Sequence, residues 1–248
     1  MGAYKAIVFD LDGTAIPNNR DGTPSERLVQ AAAKAQADGI HLFAATARPA
    51  SLALPIIQTL SLRAPCVISG GTLIVDPQTG STIREAKLTR EQIVSVANIL
   101  ASYPYLPGVD SSKIGQPGEL RQFDEANIIF VPEVESRNLT EIVQQLSHIP
   151  GLFVTSTKAW TKGHVLHVTA KAGSKEHGIE FVLDRLGATK EETIGVGDGD
   201  NDIHLFAAVG HRIAMGNASE QLKSIADEIA PTVDEDGLAW VIERYFNT

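Results

Sequence analysis

The chain has a single cysteine, Cys66. No intramolecular disulfide can form, so a reducing compartment is allowed, and the apolar setting "APCVIS" makes Cys66 a small core residue. Basic residues are also scarce, with 21 Lys and Arg against 30 Asp and Glu, a net charge of −9. That balance argues against nucleic acid or an anionic membrane as partner, since both need a cationic surface. No apolar run approaches the roughly 20 residues of a transmembrane helix, and the opening "MGAYK" has no apolar leader segment. The expectation is a soluble, cytoplasmic protein in which the sequons at Asn138 and Asn217 carry no meaning. Repeats, low-complexity tracts and HExxH or clustered histidine patterns are absent. His164, His167 and His177 are accordingly expected to be structural or exposed.

What is present fits a globular protein of one large domain or two modest ones: 248 residues, 43% hydrophobic and 21% charged. "AIVF" reads as a buried strand, Ser25 to Asp38 as a helix with Ser25 as N-cap, and "IHLFAA" as a second strand. Pro49 opens a helix reaching about Leu60, and "PCVIS" is a third strand. Strand–helix alternation with short links predicts a parallel sheet covered by helices, an α/β Rossmann-like core. The pattern resumes after Ser174. Ile179, Val182, Leu183 and Leu186 line one helical face, "TIGVG" and "RIAM" are strands, "NDIHLFAAV" a helix, and Leu238 to Phe246 the last helix.

The middle differs. A hairpin around Pro77–Gly80 is followed by a helix from about Thr89 to Ala101 and a Pro- and Gly-rich stretch, Pro104 to Gly118. Strands near Glu119–Phe123, Asn127–Val131, Leu152–Thr155 and Val165–Thr169, with a helix near Ser136–Leu146, predict an antiparallel sheet with helices. The reading is a core of residues 1–76 and 171–248 interrupted by an α+β insert, 77–170.

Four polar clusters end predicted core strands: Asp10 and Asp12 after "AIVF", Thr46 in "LFAATARP", Lys175 opening a helix, and "GVGDGDND" with Asp198, Asp200 and Asp202. In an open parallel sheet, ligands bind beyond the carboxyl ends of the strands, so these clusters should converge. Two carboxylates about 4 Å apart repel by roughly 4 kcal/mol at an effective dielectric of 20, which invites protons or a cation. Oxygen-only donors with no Cys or His point to a hard ion, Mg²⁺ in first place. An EF-hand reading of "DGDND" fails because its sixth position is Ile203 and its twelfth Val209. "GVGDGD" lacks the third glycine of a dinucleotide fingerprint, and its acids would repel pyrophosphate. A hydroxyl with backbone amides beside it, plus an ammonium, suits a phosphoryl group. Asp10 could then attack phosphorus. Asp12 could protonate the leaving oxygen and later deprotonate water, which asks for a proton on Asp12 during attack, retained through burial and like charge.

"DLDGT" at 10–14, Thr46, Lys175 and "GDGDND" at 197–202 resemble, in order and context, the four motifs of the haloacid dehalogenase superfamily. The insert and the tail "IAMGNASEQLKSIADEIAPTVDEDGLAWVI" look like its Cof-type subgroup, subclass IIB, with a C2-type cap. The resemblance implies Asp10 as nucleophile and Asp12 as general acid/base. It implies Mg²⁺ held by the Asp10 carboxylate, the Asp12 backbone carbonyl and Asp198. Thr46, the amides of Leu11 and Ala47, Lys175 and Asn201 would bind phosphate, and Asp202 would orient Lys175 and metal-bound water. The variable Asp200 receives no role. The implied activity is hydrolysis of small phosphorylated metabolites, sugar phosphates foremost, with the cap closing over the core and reading the leaving group. A phosphomutase with the same nucleophile, or a silent phospho-ligand sensor, are the alternatives.

Three departures stand out. The second motif reads Thr46-Ala47-Arg48 where relatives usually carry Thr-Gly-Arg. Gly70 stands in the place of a usual Asn near the substrate entrance. "IHLFAAVG" replaces a Met-Leu-Glu-like run, which concerns packing. Arg48 is read either as a substrate clamp or as the partner of an acid. In the insert, Lys113, Arg121, Lys158, Trp160 and Lys162 are candidates to face substrate, with a solvated surface as the default for each.

Overall fold

The computed structural model describes residues 4–19, 21–110, 112–113, 116–159 and 162–246. The chain divides into two compact units, one of Met1–Arg84 with Lys175–Thr248 and one of Glu85–Ser174.

The first unit is built on a five-stranded parallel sheet. Its order is Glu228–Ile229, His211–Ala214, Thr193–Gly197, Ala6–Phe9, His41–Ala44. Ala6–Phe9 sits between two neighbours, which is why all four of its residues are apolar and buried. Ser25 caps the helix Glu26–Ala37 by accepting from the Leu28 amide, and Leu28, Ala31, Ala32 and Ala35 turn inward. Arg27 forks Glu243 at 2.9 and 2.6 Å, linking this helix to the last one, Gly237–Phe246.

The third strand, Cys66–Ile68, departs from the expected sheet. Its one parallel bridge on this side among the described residues joins Val67 to Ala45, just past the second strand, and it pairs antiparallel with Leu73–Val75. The reason is local: Ser69, Gly70 and Gly71 all have left-handed φ, of 51°, 72° and 115°, and reverse the chain before the parallel pairing can lengthen. Leu73–Val75 pairs in turn with Thr82–Glu85. The turn between them is held by the Asp76 carboxylate, which accepts from the Gln78 and Thr79 amides. This hairpin therefore belongs to the first unit, and the division falls after Arg84 and after Ser174.

The second unit carries a five-stranded antiparallel sheet ordered Leu152–Lys158, His164–Ala170, Ile128–Val134, Gly108–Val109, Ser112–Lys113. Helices Arg90–Leu100 and Ser136–Ser147 share a separate apolar core with it, including Ile93, Val96, Ile129, Val131, Ile142, Leu166 and Val168. The strand expected at Glu119–Phe123 is instead a 3-10 helix, Pro117–Gln122. Pro117 at its first turn presets a helical φ, and of this stretch's apolar side chains Leu120 is fully buried. Among the described residues, no helix is long and apolar enough to cross a membrane.

Candidate active site

Asp10 leaves the first strand with its amide donating to the Val196 carbonyl at 3.0 Å, so the pairing of two strands fixes its backbone. Immediately afterwards the Leu11 carbonyl accepts from the amides of Thr14, Ala15 and Ile16, curling the chain back on itself. Leu11 is fully buried beneath that curl. Gly13 sits at φ 73° with its carbonyl accepting from Asn217 Nδ2 at 2.8 Å. A Cβ at Gly13 would stand 2.1 Å from Asp198 Oδ2. Glycine is required here twice over, for its conformation and for the approach of Asp198.

Lys175 opens the helix Lys175–Leu186 and is buried at 4% exposure. Its ammonium donates to Asp10 Oδ1 at 2.8 Å and to Asp202 Oδ1 at 2.7 Å. The other oxygen of Asp202, Oδ2, accepts from the amides of Asp198 and Gly199, both at 3.0 Å. Asp202 thus folds its own loop through Oδ2 and orients Lys175 through Oδ1. Thr14 Oγ1 donates to Asp198 Oδ1 at 3.2 Å. Asp200 accepts from Ser219 Oγ at 2.5 Å.

Oxygens of Asp10, Asp198 and Asp202 lie within 4.8 Å of one another. Burial, with repulsion from Asp202 and Asp12 added, pushes Asp10 up to about 7 against the pull of Lys175. Burial, with Asp202 and Asp10, pushes Asp198 up to about 8. Burial lowers Lys175, but Asp10 and Asp202 outweigh it and hold the ammonium above its ordinary value. Fully ionised, three carboxylates against one ammonium would leave an excess of two negative charges on oxygen-only donors. That donor set fits a hard divalent cation, with Asp10 and Asp198 keeping the freer lone pairs. Gly13→Ala is therefore expected to displace Asp198 and raise the half-saturating Mg²⁺ concentration by about tenfold or more. An unchanged Mg²⁺ titration would remove Asp198 from the cation's shell.

Thr46 is buried, its amide donating to Val67 and its carbonyl accepting from Gly70 at 3.0 Å. Its hydroxyl accepts from the Arg48 amide at 3.2 Å and keeps its own proton for a ligand. Ala47 is not among the positive-φ residues, so alanine replaces the usual glycine here without strain. A side chain at Gly70 would meet nothing within 4 Å. Asn201 is half-buried, its Oδ1 2.4 Å from where a Cβ would stand at Gly199.

Asp12 is held separately from the other acids. Its carboxylate is outside the three-acid cluster and is forked by Arg48, with Nε to Oδ2 at 2.8 Å and Nη2 to Oδ1 at 2.6 Å. A carboxyl accepting at both oxygens is arranged as the carboxylate, and the proton expected on Asp12 belongs to the moment of attack. The same Nη2 also donates to the Asn19 carbonyl at 2.6 Å. Of the two roles open to Arg48, the structure shows the pairing with an acid.

Two contributors have no role in the sequence reading: Thr14, which follows the glycine of "DLDGT", and Asn217, visible only as a sequon. Asn217 clips the Gly13 carbonyl to the Val233 amide, joining the first loop to the tail. In the second unit, Arg121 donates to Asn98 Oδ1 at 2.7 Å, and Lys158 and Lys162 are exposed. Trp160 and the Lys113 side chain lie outside the described residues. Cys66 is buried, its thiol pushed up to about 12 by burial.

Residues 7–109 and 116–242 match a family described as haloacid dehalogenase-like hydrolase. YkrA of Bacillus subtilis strain 168, provisionally named a phosphatase, is 28% identical over 257 residues, covering 97% of each chain. The 5-amino-6-(5-phospho-D-ribitylamino)uracil phosphatase YitU of the same strain is 25% identical over 264 residues, again 97% of each. Among solved structures, the phosphatase-superfamily protein BT1666 of Bacteroides thetaiotaomicron superposes with a TM-score of 0.82 at 22% identity, covering 98% of this chain and 95% of that one. BT4131, described as a subclass IIB sugar phosphatase, gives 0.81 at 21% identity over 97% and 98%. At these identities the structural likenesses establish the fold.

Proposed function

We propose a function from one premise: the chain belongs to the haloacid dehalogenase-like hydrolases. Within that family it is a phosphoric monoester hydrolase, and its substrates are small phosphorylated metabolites, sugar phosphates foremost. The observation that carries this reading is the buried Lys175 bridging Asp10 and Asp202 at 2.8 and 2.7 Å. A nucleophile and a phosphate-binding cation are thereby fixed at the end of one strand.

Asp10 attacks phosphorus through Oδ2, the oxygen that Lys175 does not hold. The P–O bond to the leaving group breaks, and the leaving oxygen takes a proton from Asp12. Water then attacks the aspartyl phosphate, gives its proton to Asp12, and releases inorganic phosphate, which regenerates Asp10. Lys175, the Thr46 hydroxyl, the amides of Leu11 and Ala47, and Asn201 bind the phosphoryl oxygens. Asp10, Asp198 and the Asp12 carbonyl would hold Mg²⁺, with Asp202 behind them. Mg²⁺, when bound, supplies the positive charge that neutralises these acids and the phosphoryl group. The insert acts as a cap that selects the leaving group.

Inorganic phosphate release from a panel of sugar phosphates and other metabolite phosphoesters, with Mg²⁺ or with EDTA, tests the proposal. Stoichiometric, EDTA-sensitive release is expected. Isomer without phosphate would make the protein a mutase. Binding without turnover across the panel would make it a sensor.

A further inference from the structure

If Asp12 makes both proton transfers, its carboxyl must be aimed at the leaving oxygen and then at water. From the geometry we infer that Arg48 is the positioning residue for those transfers. It holds the Asp12 carboxylate clear of the Asp10, Asp198 and Asp202 oxygens. This inference rests on the phosphatase reading and adds a named residue to it.

Three observations support it. Arg48 grips both oxygens of Asp12, at 2.8 and 2.6 Å, so the carboxylate is fixed in position and in plane. The guanidinium is itself anchored, because Nη2 donates also to the Asn19 carbonyl at 2.6 Å. Its backbone is tied as well: the Arg48 amide donates to Thr46 Oγ1 at 3.2 Å and its carbonyl accepts from the Ser69 amide at 2.9 Å. Arg48 is 4% exposed, whereas the Asp12 side chain is 21% exposed. The acid faces outward and its holder lies behind it.

The arrangement answers a conflict within the site. Asp12 is two residues from Asp10, and an untethered carboxylate there could swing toward the same cation as Asp10 and Asp198. Held by Arg48, it stays off that cation, and it takes a proton on whichever oxygen one prong of the fork releases. Asp12 takes up a proton as one prong of the fork opens, passes it to the leaving oxygen in the first step, and regains one from water in the second. Arg48 gives up no proton in either step. It recaptures the carboxylate after the first transfer.

The test compares two esters in the Mg²⁺-loaded enzyme. An alkyl phosphate such as a hexose 6-phosphate leaves as an alkoxide that needs a proton, whereas 4-nitrophenyl phosphate leaves as a stable anion. Single-turnover release of the alcohol or nitrophenolate isolates the step in which the leaving group departs. Arg48→Ala is expected to slow alcohol release by roughly 10²-fold and nitrophenolate release by less than about tenfold. The KM values and the inhibition constant of inorganic phosphate should stay within about twofold. In an Asp12→Asn background, Arg48→Ala should add nothing to the loss on the alkyl ester, because the group it aims is gone.

Arg48→Lys keeps the charge without the fork and should show the same split between esters at reduced size, which covers the case in which Arg48→Ala does not fold. Equal losses on both esters, additive losses in the double variant, or a loss expressed as raised KM and weaker phosphate inhibition would each overturn the inference. A wild-type protein that releases neither leaving group would sink the phosphatase reading itself. That failure appears before any variant is made.

Discussion

Asp10→Asn will lower turnover by at least about 10⁴-fold, while the metal-free protein stays folded and melts roughly 5 °C higher. Both halves follow from the same cluster. An amide oxygen is a poor nucleophile and cannot form the aspartyl phosphate, so the loss is of the covalent step and no substrate changes it. The substitution is close to isosteric, and Lys175 can still donate to the side-chain oxygen now held at 2.8 Å. Asn also removes one of three clustered acids, whose burial and mutual repulsion raise Asp10 to about 7 and Asp198 to about 8. Stability stored as strain at a reactive site is released when the reactive group goes. Phosphate release and a melting curve in EDTA check the two halves separately. Residual activity near the wild-type level would remove Asp10 as nucleophile, and a lower melting temperature would contradict the electrostatic account.

The second large effect is a melting temperature that depends on pH without Mg²⁺ and hardly at all with it. Asp10 and Asp198 start from 3.8 and rise in the folded protein to about 7 and about 8. A carboxyl raised on folding contributes stability that is complete below its unfolded value and is lost as pH climbs through its folded value. The metal-free protein should therefore lose stability between about pH 4 and pH 8, by roughly 5–10 °C in melting temperature. Mg²⁺ binds the ionised forms, so its stabilisation should grow over the same interval and cancel the slope. Lys175 remains charged throughout and does not alter the sign. Asp198→Asn should flatten the metal-free slope and remove most of the Mg²⁺ response. Parallel pH profiles with and without Mg²⁺ would refute the cation site at these acids.

Much of this site was legible because each chemical group follows a buried strand or opens a helix. A run such as "AIVF" ending in Asp10 announces both a strand and where it stops, and "TIGVG" does the same for Asp198. Strand termini in a parallel sheet share one edge, so the convergence of these groups followed from the fold class alone. Other features depend on geometry that no periodicity encodes. Arg48 meets Asp12 across 36 positions, with no spacing rule to join them. Asn217 reaches Gly13 across 204 positions, and its short sequon gave no sign of the contact. At Glu119–Phe123 the short stretch carries no clear period of two, and Pro117 and Gly118 already favoured a turn. The third strand read correctly as a strand, but its escape from the parallel sheet depends on three successive left-handed residues. Ser69, the first of them, is a residue type that seldom adopts that conformation.

The interleaving of the two units bears on how the chain folds as it is made. Ala6–Phe9 pairs on one side with His41–Ala44, which follows soon in sequence, and on the other with Thr193–Gly197. During synthesis the first strand precedes this second partner by 187 positions, Ala6 to Thr193, and one of its edges stays unpaired over that interval. An exposed, wholly apolar strand edge is where a nascent chain sticks to its neighbours. The second unit, Glu85–Ser174, has its own apolar core and can collapse within that interval. Its compact folding shortens the effective loop that must close to bring Thr193 beside Ala6. A second unit that folds first would therefore ease closure of the domain it interrupts.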